Sequence, residues 1–213
     1  MIHPHPEVSG YVLAGGRSSR MGSDKSLLQL AGKPLIQRAV ETLSKVCSNV
    51  HILSSRSELA AFGPLVADLH PGCGPLGGIE AALLQTPTPW SLFLAVDMPF
   101  VPASLLQTWT QQIVSLKNAR ISLFTIDGKP QPTLCLVHRE LAPFLQQAIE
   151  RKEFKLFPTL EAMARDLAVE LGAPLDEVLV VHPVENQIWF ANLNTPEEFA
   201  IAKQTFLNQQ NLV

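Results

Sequence analysis

The 213-residue chain is poor in cysteine and has no excess of basic charge, and each shortage excludes a class of protein. Its cysteines, Cys47, Cys73 and Cys135, stand at unrelated spacings without a CxxC pair, so neither a disulfide framework nor a zinc site is indicated. The net charge of -3 and the pI near 6.1 argue against nucleic acid as the main partner. We therefore expect reduced thiols and no nucleic-acid partner.

Long apolar runs are also missing. No uninterrupted apolar stretch approaches the roughly 18 to 20 residues that a membrane-spanning helix requires. The N-terminal sequence MIHPHPEVSG has neither the basic start nor the apolar centre of a signal peptide. Together these absences predict a cytoplasmic protein with no membrane partner.

The chain does have a hydrophobic content of 46%, enough to bury a sizeable core in a single domain. Apolar strand patterns alternate with amphipathic helix patterns about four times before a more mixed C-terminal third. An alternation of this kind is typical of a parallel sheet covered by helices on both faces. We therefore predict a Rossmann-like three-layer α/β/α sandwich with a mainly parallel sheet.

An apolar strand pattern from Val8 to Ala14 ends in the adjacent glycines Gly15 and Gly16. Glycine has no Cβ to hold an anion away, and backbone amides in such a loop can turn towards it. Arg20 and Lys25 add cationic groups that could neutralise phosphate. The loop fits neither G-x-x-x-x-G-K-[ST] nor G-x-G-x-x-G, so spacing alone leaves a phosphate loop and a solvated turn as alternatives.

Two aspartates follow predicted strands. Asp68 comes after the short strand 65–67 and before the glycine-rich HPGCGPLGG, and Asp97 follows the buried strand 92–96. Because ligands bind beyond the carboxyl ends of strands in open α/β sheets, we expect both aspartates to converge with the diglycine loop on one edge. The glycines after Asp68 precede a predicted helix that begins near Ile79, and they indicate a close approach of the backbone to a ligand. An Asx turn or a helix cap is the alternative for Asp68.

Asp97 is a candidate metal ligand. A carboxylate that emerges from a hydrophobic strand needs a partner, and Mg²⁺ beside phosphates is bound by one or two carboxylates together with phosphate oxygens and water. A structural carboxylate is the alternative for this position.

Near the C-terminus, Thr195, Pro196 and Glu198 predict a helix start with a capping box.

Arg56, in the SSRS segment, is interpreted as a solvated loop arginine. His138 is interpreted as a buried or edge histidine whose polar atoms have hydrogen-bond partners. A nucleotide contact is the alternative for Arg56, and a general base is the alternative for His138.

The segment LAGGRSSRMGSDK, from Leu13 to Lys25 and continued by GKP at 32–34, resembles the signature loop of nucleotidyltransferases related to the molybdenum cofactor guanylyltransferases. The Asp68 segment with PGCGPLGG, the VDMP motif around Asp97 and the NLNTPE motif from Asn192 also resemble this family. The family often has cysteine where this chain has Val96. The resemblance covers most of the chain.

The resemblance implies transfer of GMP from GTP to molybdopterin with release of pyrophosphate. It implies catalytic roles for Arg20, Lys25 and Asp97, with Asp97 holding Mg²⁺, and contacts near the active site for Asn192 and Asn194. It further implies that nucleotide contacts come from Leu13, Ala14, Gly15, Gly16, Lys25, Asp68 and Asp97. In a single domain, residues 8–116 would then bind the nucleotide and 117–213 the acceptor, with molybdenum cofactor pathway proteins as partners.

Two other functions remain open on the sequence. A nucleotidyltransferase of the same fold could use another substrate, by cytidylyl transfer to molybdopterin or by transfer to a sugar or polyol phosphate. Related cytidylyltransferases generally show LAAG where this chain has LAGG, which favours guanine by resemblance only. A nucleotide-binding regulatory module without turnover is the other alternative, and it has less need of a metal-binding carboxylate such as Asp97.

Overall fold

The computed structural model of the chain describes residues 4–15, 24–184 and 186–210. The strands in this part of the chain are β1 (His5–Leu13), β2 (Gln29–Leu30), β3 (Lys33–Pro34), β4 (Cys47–Leu53), β5 (Leu65–Val66), β6 (Trp90–Ala95), β7 (Ile121–Ile126), β8 (Lys129–His138) and β9 (Leu179–Pro183). The α-helices are α1 (Leu35–Ser44), α2 (Pro75–Gln85), α3 (Ala103–Val114), α4 (Ala142–Glu150), α5 (Leu156–Leu171), α6 (Leu175–Val178) and α7 (Pro196–Gln210).

Seven of these strands form one sheet in the order β5-β4-β1-β6-β8-β7-β9. Strand β8 runs antiparallel to its neighbours β6 and β7, and the other neighbouring pairs are parallel. The remaining strands, β2 and β3, form a small antiparallel pair. The predicted mainly parallel sheet is therefore confirmed.

Helices cover both faces of the sheet. Val12 and Leu94 point to one face, where they join a buried cluster with residues of α1 and α3. Tyr11 and Phe93, one position away on the same strands, point to the other face and pack with residues of α2, α4 and α5. Because successive side chains of a strand alternate between faces, the central strands β1 and β6 bury residues on both faces, and most of these residues are apolar. The result is the predicted three-layer α/β/α sandwich.

Helix α2 begins earlier than its apolar pattern indicates. The sequence predicts a start near Ile79, whereas the helix begins at Pro75. Proline is well suited to the first helical turn because its missing N–H has no intrahelical partner there. The following glycines, Gly77 and Gly78, obscure the signal because glycine is a poor helix former, but both are buried within the helix.

The C-terminal third contains elements that the sequence does not predict, among them the 16-residue helix α5 and the edge strand β9. Helix α5 is followed by Gly172, which has the left-handed backbone conformation typical of the residue after a helix. The start of α7 is as predicted, since the Glu198 amide donates to Thr195 Oγ1 at 3.2 Å and the Thr195 amide donates to a Glu198 carboxylate oxygen at 2.9 Å. None of the helices in the described part of the chain is long and apolar enough to span a membrane.

Candidate active site

Parallel strands β1, β4, β5 and β6 end at one edge of the sheet. Leu13, at the end of β1, is in register with Leu53 of β4 and with Ala95 of β6. The Val96 amide donates to the Leu13 carbonyl oxygen at 3.1 Å, and the Ala14 amide donates to the Leu53 carbonyl oxygen at 3.3 Å. The segments that follow these strands therefore start side by side.

Lys25, Asp97 and Asn194 meet at this edge. The Lys25 ammonium donates to Asp97 Oδ2 at 2.7 Å and to Asn194 Oδ1 at 2.9 Å. Only 15% of the Lys25 side chain and 19% of the Asp97 side chain are exposed, so water screens this ion pair less than it would a surface pair. Three residues that the sequence analysis selects from separate motifs thus form one polar cluster.

The backbone holds the acidic and amide members of this cluster in place. The Leu193 amide donates to the Asp97 carbonyl oxygen at 3.0 Å, which joins the NLNTPE segment to the end of β6. The Asn194 amide donates to a Glu198 carboxylate oxygen at 2.6 Å. The sequence pattern explains Glu198 by the helix start alone, but Glu198 also fixes the residue whose side chain contacts Lys25. Asn192, which directly precedes Leu193 in the chain, is half-buried.

The interpretation of Arg56 as a solvated loop arginine is wrong. Its guanidinium donates to the Ala14 carbonyl oxygen at 3.0 Å and to Ser26 Oγ at 2.8 Å, and it forms an ion pair with Asp24. A planar guanidinium with five donors can satisfy several acceptors at once, which a lysine cannot do in the same geometry. Arg56 therefore ties the end of β1 to the segment that carries Lys25.

Asp24 starts the short 3₁₀ helix Lys25–Leu27, and its side chain accepts a hydrogen bond from the Ser26 amide at 2.9 Å. Partial burial alone would raise the pKa of Asp24, but the hydrogen bonds from Arg56 and from the Ser26 amide hold this pKa below its usual value. Asp24 is thus ionised, and its contacts with Arg56 and the Ser26 amide hold the start of the segment that carries Lys25.

Asp68 lies over the first turn of α2. Its Oδ1 is 3.0 Å from the position that a Cβ on Gly78 would occupy, and the His70 carbonyl oxygen is 2.7 Å from the corresponding position on Gly77. Partial burial raises the pKa of Asp68 above its usual value. The sequence predicts that these glycines allow a ligand to approach closely. In the structure, Gly77 and Gly78 allow the Asp68 segment of the same chain to approach α2.

Two other glycines of this loop are required by its backbone conformation. Gly72 and Gly74 have φ angles of 96° and 61°, in the region that residues with a Cβ rarely adopt. Nothing lies within 4 Å of a Cβ built on either residue, so their requirement is conformational. The glycine content of the loop by itself does not indicate a ligand.

The sequence model of the family described as MobA-like NTP transferase domain matches residues 10–167. This chain belongs to the MobA-like NTP transferases. The match includes Lys25, Asp68 and Asp97, and it begins in β1 and ends in α5. The predicted resemblance to the molybdenum cofactor guanylyltransferases and their relatives is confirmed, and the chain is a nucleotidyltransferase.

Similar proteins cover nearly the whole of this MobA-like transferase. The molybdenum cofactor guanylyltransferase of Serratia proteamaculans is 37% identical over 203 residues, which cover 91% of this chain and 93% of that protein. The protein of the same name from Vibrio atlanticus is 33% identical, with coverage of 90% and 93%. The crystal structure of molybdopterin-guanine dinucleotide biosynthesis protein A from Archaeoglobus fulgidus has a TM-score of 0.74 at 25% identity, covering 94% of this chain and 99% of that one.

The oxygens around Lys25 fit a divalent cation of the kind that this transferase family uses. Asp97 and Asn194 already direct a carboxylate oxygen and an amide oxygen at one cationic group, and hard cations such as Mg²⁺ prefer oxygen ligands. Within the described residues, no group of three or more His, Cys, Asp or Glu side chains could hold a metal ion. A metal at Asp97 would therefore take further oxygens from phosphate and water.

The remaining predicted residues of this MobA-like transferase sit around the same edge or beyond the described part. Leu13 is half-buried, Ala14 is buried and Gly15 is exposed at the end of β1. Gly16 and Arg20 lie outside the described residues.

His138 packs edge-on against Trp90, with ring centroids 5.0 Å apart, and burial lowers its pKa to about 4, although the nearby Glu140 carboxylate opposes the shift. This agrees with its interpretation as an edge histidine.

Proposed function

We propose that this chain transfers GMP from GTP to the terminal phosphate of molybdopterin and releases pyrophosphate. The observation that carries the proposal is the cluster in which the Lys25 ammonium bridges Asp97 and Asn194 at the carboxyl edge of the sheet. The relatives named molybdenum cofactor guanylyltransferase support the choice of base and acceptor.

The reaction is a displacement at phosphorus. An oxygen of the molybdopterin phosphate attacks the α-phosphorus of GTP, and the bond from that phosphorus to the bridging oxygen of the β-phosphate breaks. The electron pair leaves with pyrophosphate. Such a reaction depends on in-line positioning and on neutralised negative charge more than on proton transfer.

The chain supplies both requirements. Lys25 would donate its ammonium hydrogens to phosphate oxygens, a contact that is stronger in a partly buried site than in water. Backbone amides at Gly15 and Gly16 would hold the phosphates, and Arg20 would neutralise the leaving pyrophosphate. Asp68 would bind the nucleotide beside the first turn of α2.

Asp97 would hold Mg²⁺, with the Asn194 amide oxygen close by. When bound, the ion would neutralise negative charge on the phosphate oxygens. In this arrangement residues 8–116 carry the nucleotide site. The part from 117 to 213 would supply the acceptor side, with Asn192 and Asn194 placed where the two parts meet.

Thermal denaturation in Mg²⁺ with GTP, CTP, ATP or UTP tests the nucleotide, because a ligand that binds only the folded state raises the melting temperature with its occupancy. We expect selective stabilisation by GTP that is lost in Asp97→Ala. Pyrophosphate release on addition of GTP and molybdopterin tests the acceptor, with GTP alone as the control.

The two measurements separate the alternatives. Stabilisation by CTP alone would replace the guanylyltransferase with a cytidylyltransferase. Selective GTP binding without pyrophosphate release in the presence of molybdopterin would contradict the proposed acceptor. Binding without turnover on any phosphate acceptor would instead support the regulatory module.

A further inference from the structure

A buried carboxylate lies directly behind the loop that carries Asp68. The side chain of Glu80, in α2, is only 1% exposed, and its Oε2 lies 2.6 Å from Nδ1 of His70. The His70 side chain is 54% exposed, so the imidazole reaches from the outer surface of the loop to the buried acid. A buried carboxylate without a hydrogen-bond partner would be costly, which ties His70 to this position.

The same residue is also fixed through its backbone. The His70 carbonyl oxygen packs against Gly77 of α2 and accepts a hydrogen bond from the Cys73 amide at 3.4 Å. His70 therefore contacts α2 at two places, one through its carbonyl group and one through its imidazole. Asp68 is two residues earlier on the same segment, with its carboxylate against Gly78.

We propose that the contact between the His70 imidazole and the buried Glu80 carboxylate is a clasp that positions Asp68 for nucleotide binding. The inference rests on the proposed function, in which Asp68 contacts the nucleotide. His70 is a positioning residue here, because it acts through the placement of Asp68. Without the clasp, the segment 68–70 would lose its side-chain attachment to α2, and the Asp68 carboxylate would sample positions away from the first turn.

The clasp predicts a change in nucleotide affinity with little change in the chemical step. His70→Ala should raise the KM for GTP about tenfold, the lower end of what loss of an orienting contact usually costs, and leave kcat within about twofold. His70→Asn should restore most of the affinity, because the asparagine Nδ2 can donate from nearly the same position as Nδ1. Leu69→Ala is the matched control, since Leu69 lies between the two residues and is 49% exposed.

A double-mutant cycle distinguishes positioning from a direct or purely structural role. If His70 acts through Asp68, His70→Ala should have little further effect on KM once Asp68→Asn is present. Equal effects of His70→Ala in both backgrounds would overturn the clasp, as would an unchanged KM in the single variant. Amide hydrogen exchange in 68–74 should also be faster in His70→Ala than in Leu69→Ala, and equal exchange would contradict the attachment.

The outcomes separate this inference from the proposed function. A parent protein that binds CTP and not GTP would contradict the guanylyltransferase, and the same cycle measured with CTP would still test the clasp. A selective GTP response that is unaffected by Asp68→Asn would overturn the clasp and leave the proposed reaction standing.

Discussion

The Lys25 ammonium lies 2.7 Å from the Asp97 carboxylate although 72 residues separate them in the chain. In the proposed reaction each group takes another partner, because Lys25 contacts phosphate and Asp97 contacts the metal. Nucleotide and metal together replace the ion pair with two new pairs of opposite charge. In the absence of substrate, the ion pair keeps either partly buried group from being left without an opposite charge. Binding of nucleotide or metal alone would leave one of the two groups unpaired, so we expect nucleotide and metal to bind cooperatively.

Replacing Lys25 tests this exchange. Lys25→Ala should lower kcat by about 10² to 10³, the usual cost of one group that stabilises transition-state charge. The variant should still fold, which circular dichroism would check. Lys45→Ala is the control, because Lys45 is exposed at the end of α1 and belongs to none of the motifs. Equal turnover by Lys25→Ala and the parent would show that Lys25 takes no part in the reaction.

The sequence predicts the sheet and the position of Asp97 because both follow from local patterns. The buried strand β6 is apolar from Leu92 to Ala95, and ligands of parallel sheets bind beyond the carboxyl ends of the strands, where Asp97 lies. Lys25 and Asn194 enter through a resemblance that covers their motifs. The contact between Lys25 and Asn194 cannot be predicted from local patterns, because it depends on how the start of α7 packs against the end of β6.

Other features depend on tertiary contacts that leave no local signal. Arg56 looks like an ordinary loop arginine until β1 and β4 are side by side, when the Ala14 carbonyl comes within its reach. The glycines Gly77 and Gly78 look like a ligand loop because glycine marks any close approach, and the sequence cannot say whether a ligand or the chain itself approaches. The His70 and Glu80 pair needs the loop to fold back on α2.

Arg56 should be required for the loop that carries Lys25. Arg56→Ala removes the contacts to Ala14 and Ser26 and leaves Asp24 without its cation, so kcat/KM should fall about tenfold or more. Arg56→Lys should not restore it, because a single ammonium cannot reach the same set of acceptors. Arg165→Ala is a matched control, since Arg165 is 63% exposed and pairs with Glu161 within one helix. Rescue by lysine would mean that charge alone matters at this position.

Asp24 and Asp68 should have opposite effects on stability as pH changes. The pKa of Asp24 is lowered on folding, so its carboxylate stabilises the fold above the ordinary aspartate pKa and loses that contribution as pH falls through the lower value. The pKa of Asp68 is raised by burial, so its ionised form destabilises the fold at neutral pH and this cost disappears in acid. Asp24→Asn should therefore lower the melting temperature at pH 7, and Asp68→Asn should raise it.

Melting curves of both variants and the parent between about pH 3 and pH 8 check this, since the differences should shrink as the aspartates become protonated. Asp68→Asn should also weaken nucleotide binding, so stability and affinity would change in opposite directions. A lower melting temperature for Asp68→Asn at pH 7 would indicate that the carboxylate has a structural partner.

Glu198 should affect activity as well as stability, because its carboxylate accepts from the amides of both Asn194 and Thr195. Glu198→Ala and Thr195→Ala each remove part of the cap of α7 and should each lower the free energy of unfolding by about 1 kcal/mol. Only Glu198→Ala releases the Asn194 backbone, so it alone should lower turnover, while Thr195→Ala should keep most of it. Thermal denaturation and pyrophosphate release measured on both variants give the comparison. Equal losses of turnover would show that the site depends on the helix start as a whole and not on the Asn194 contact.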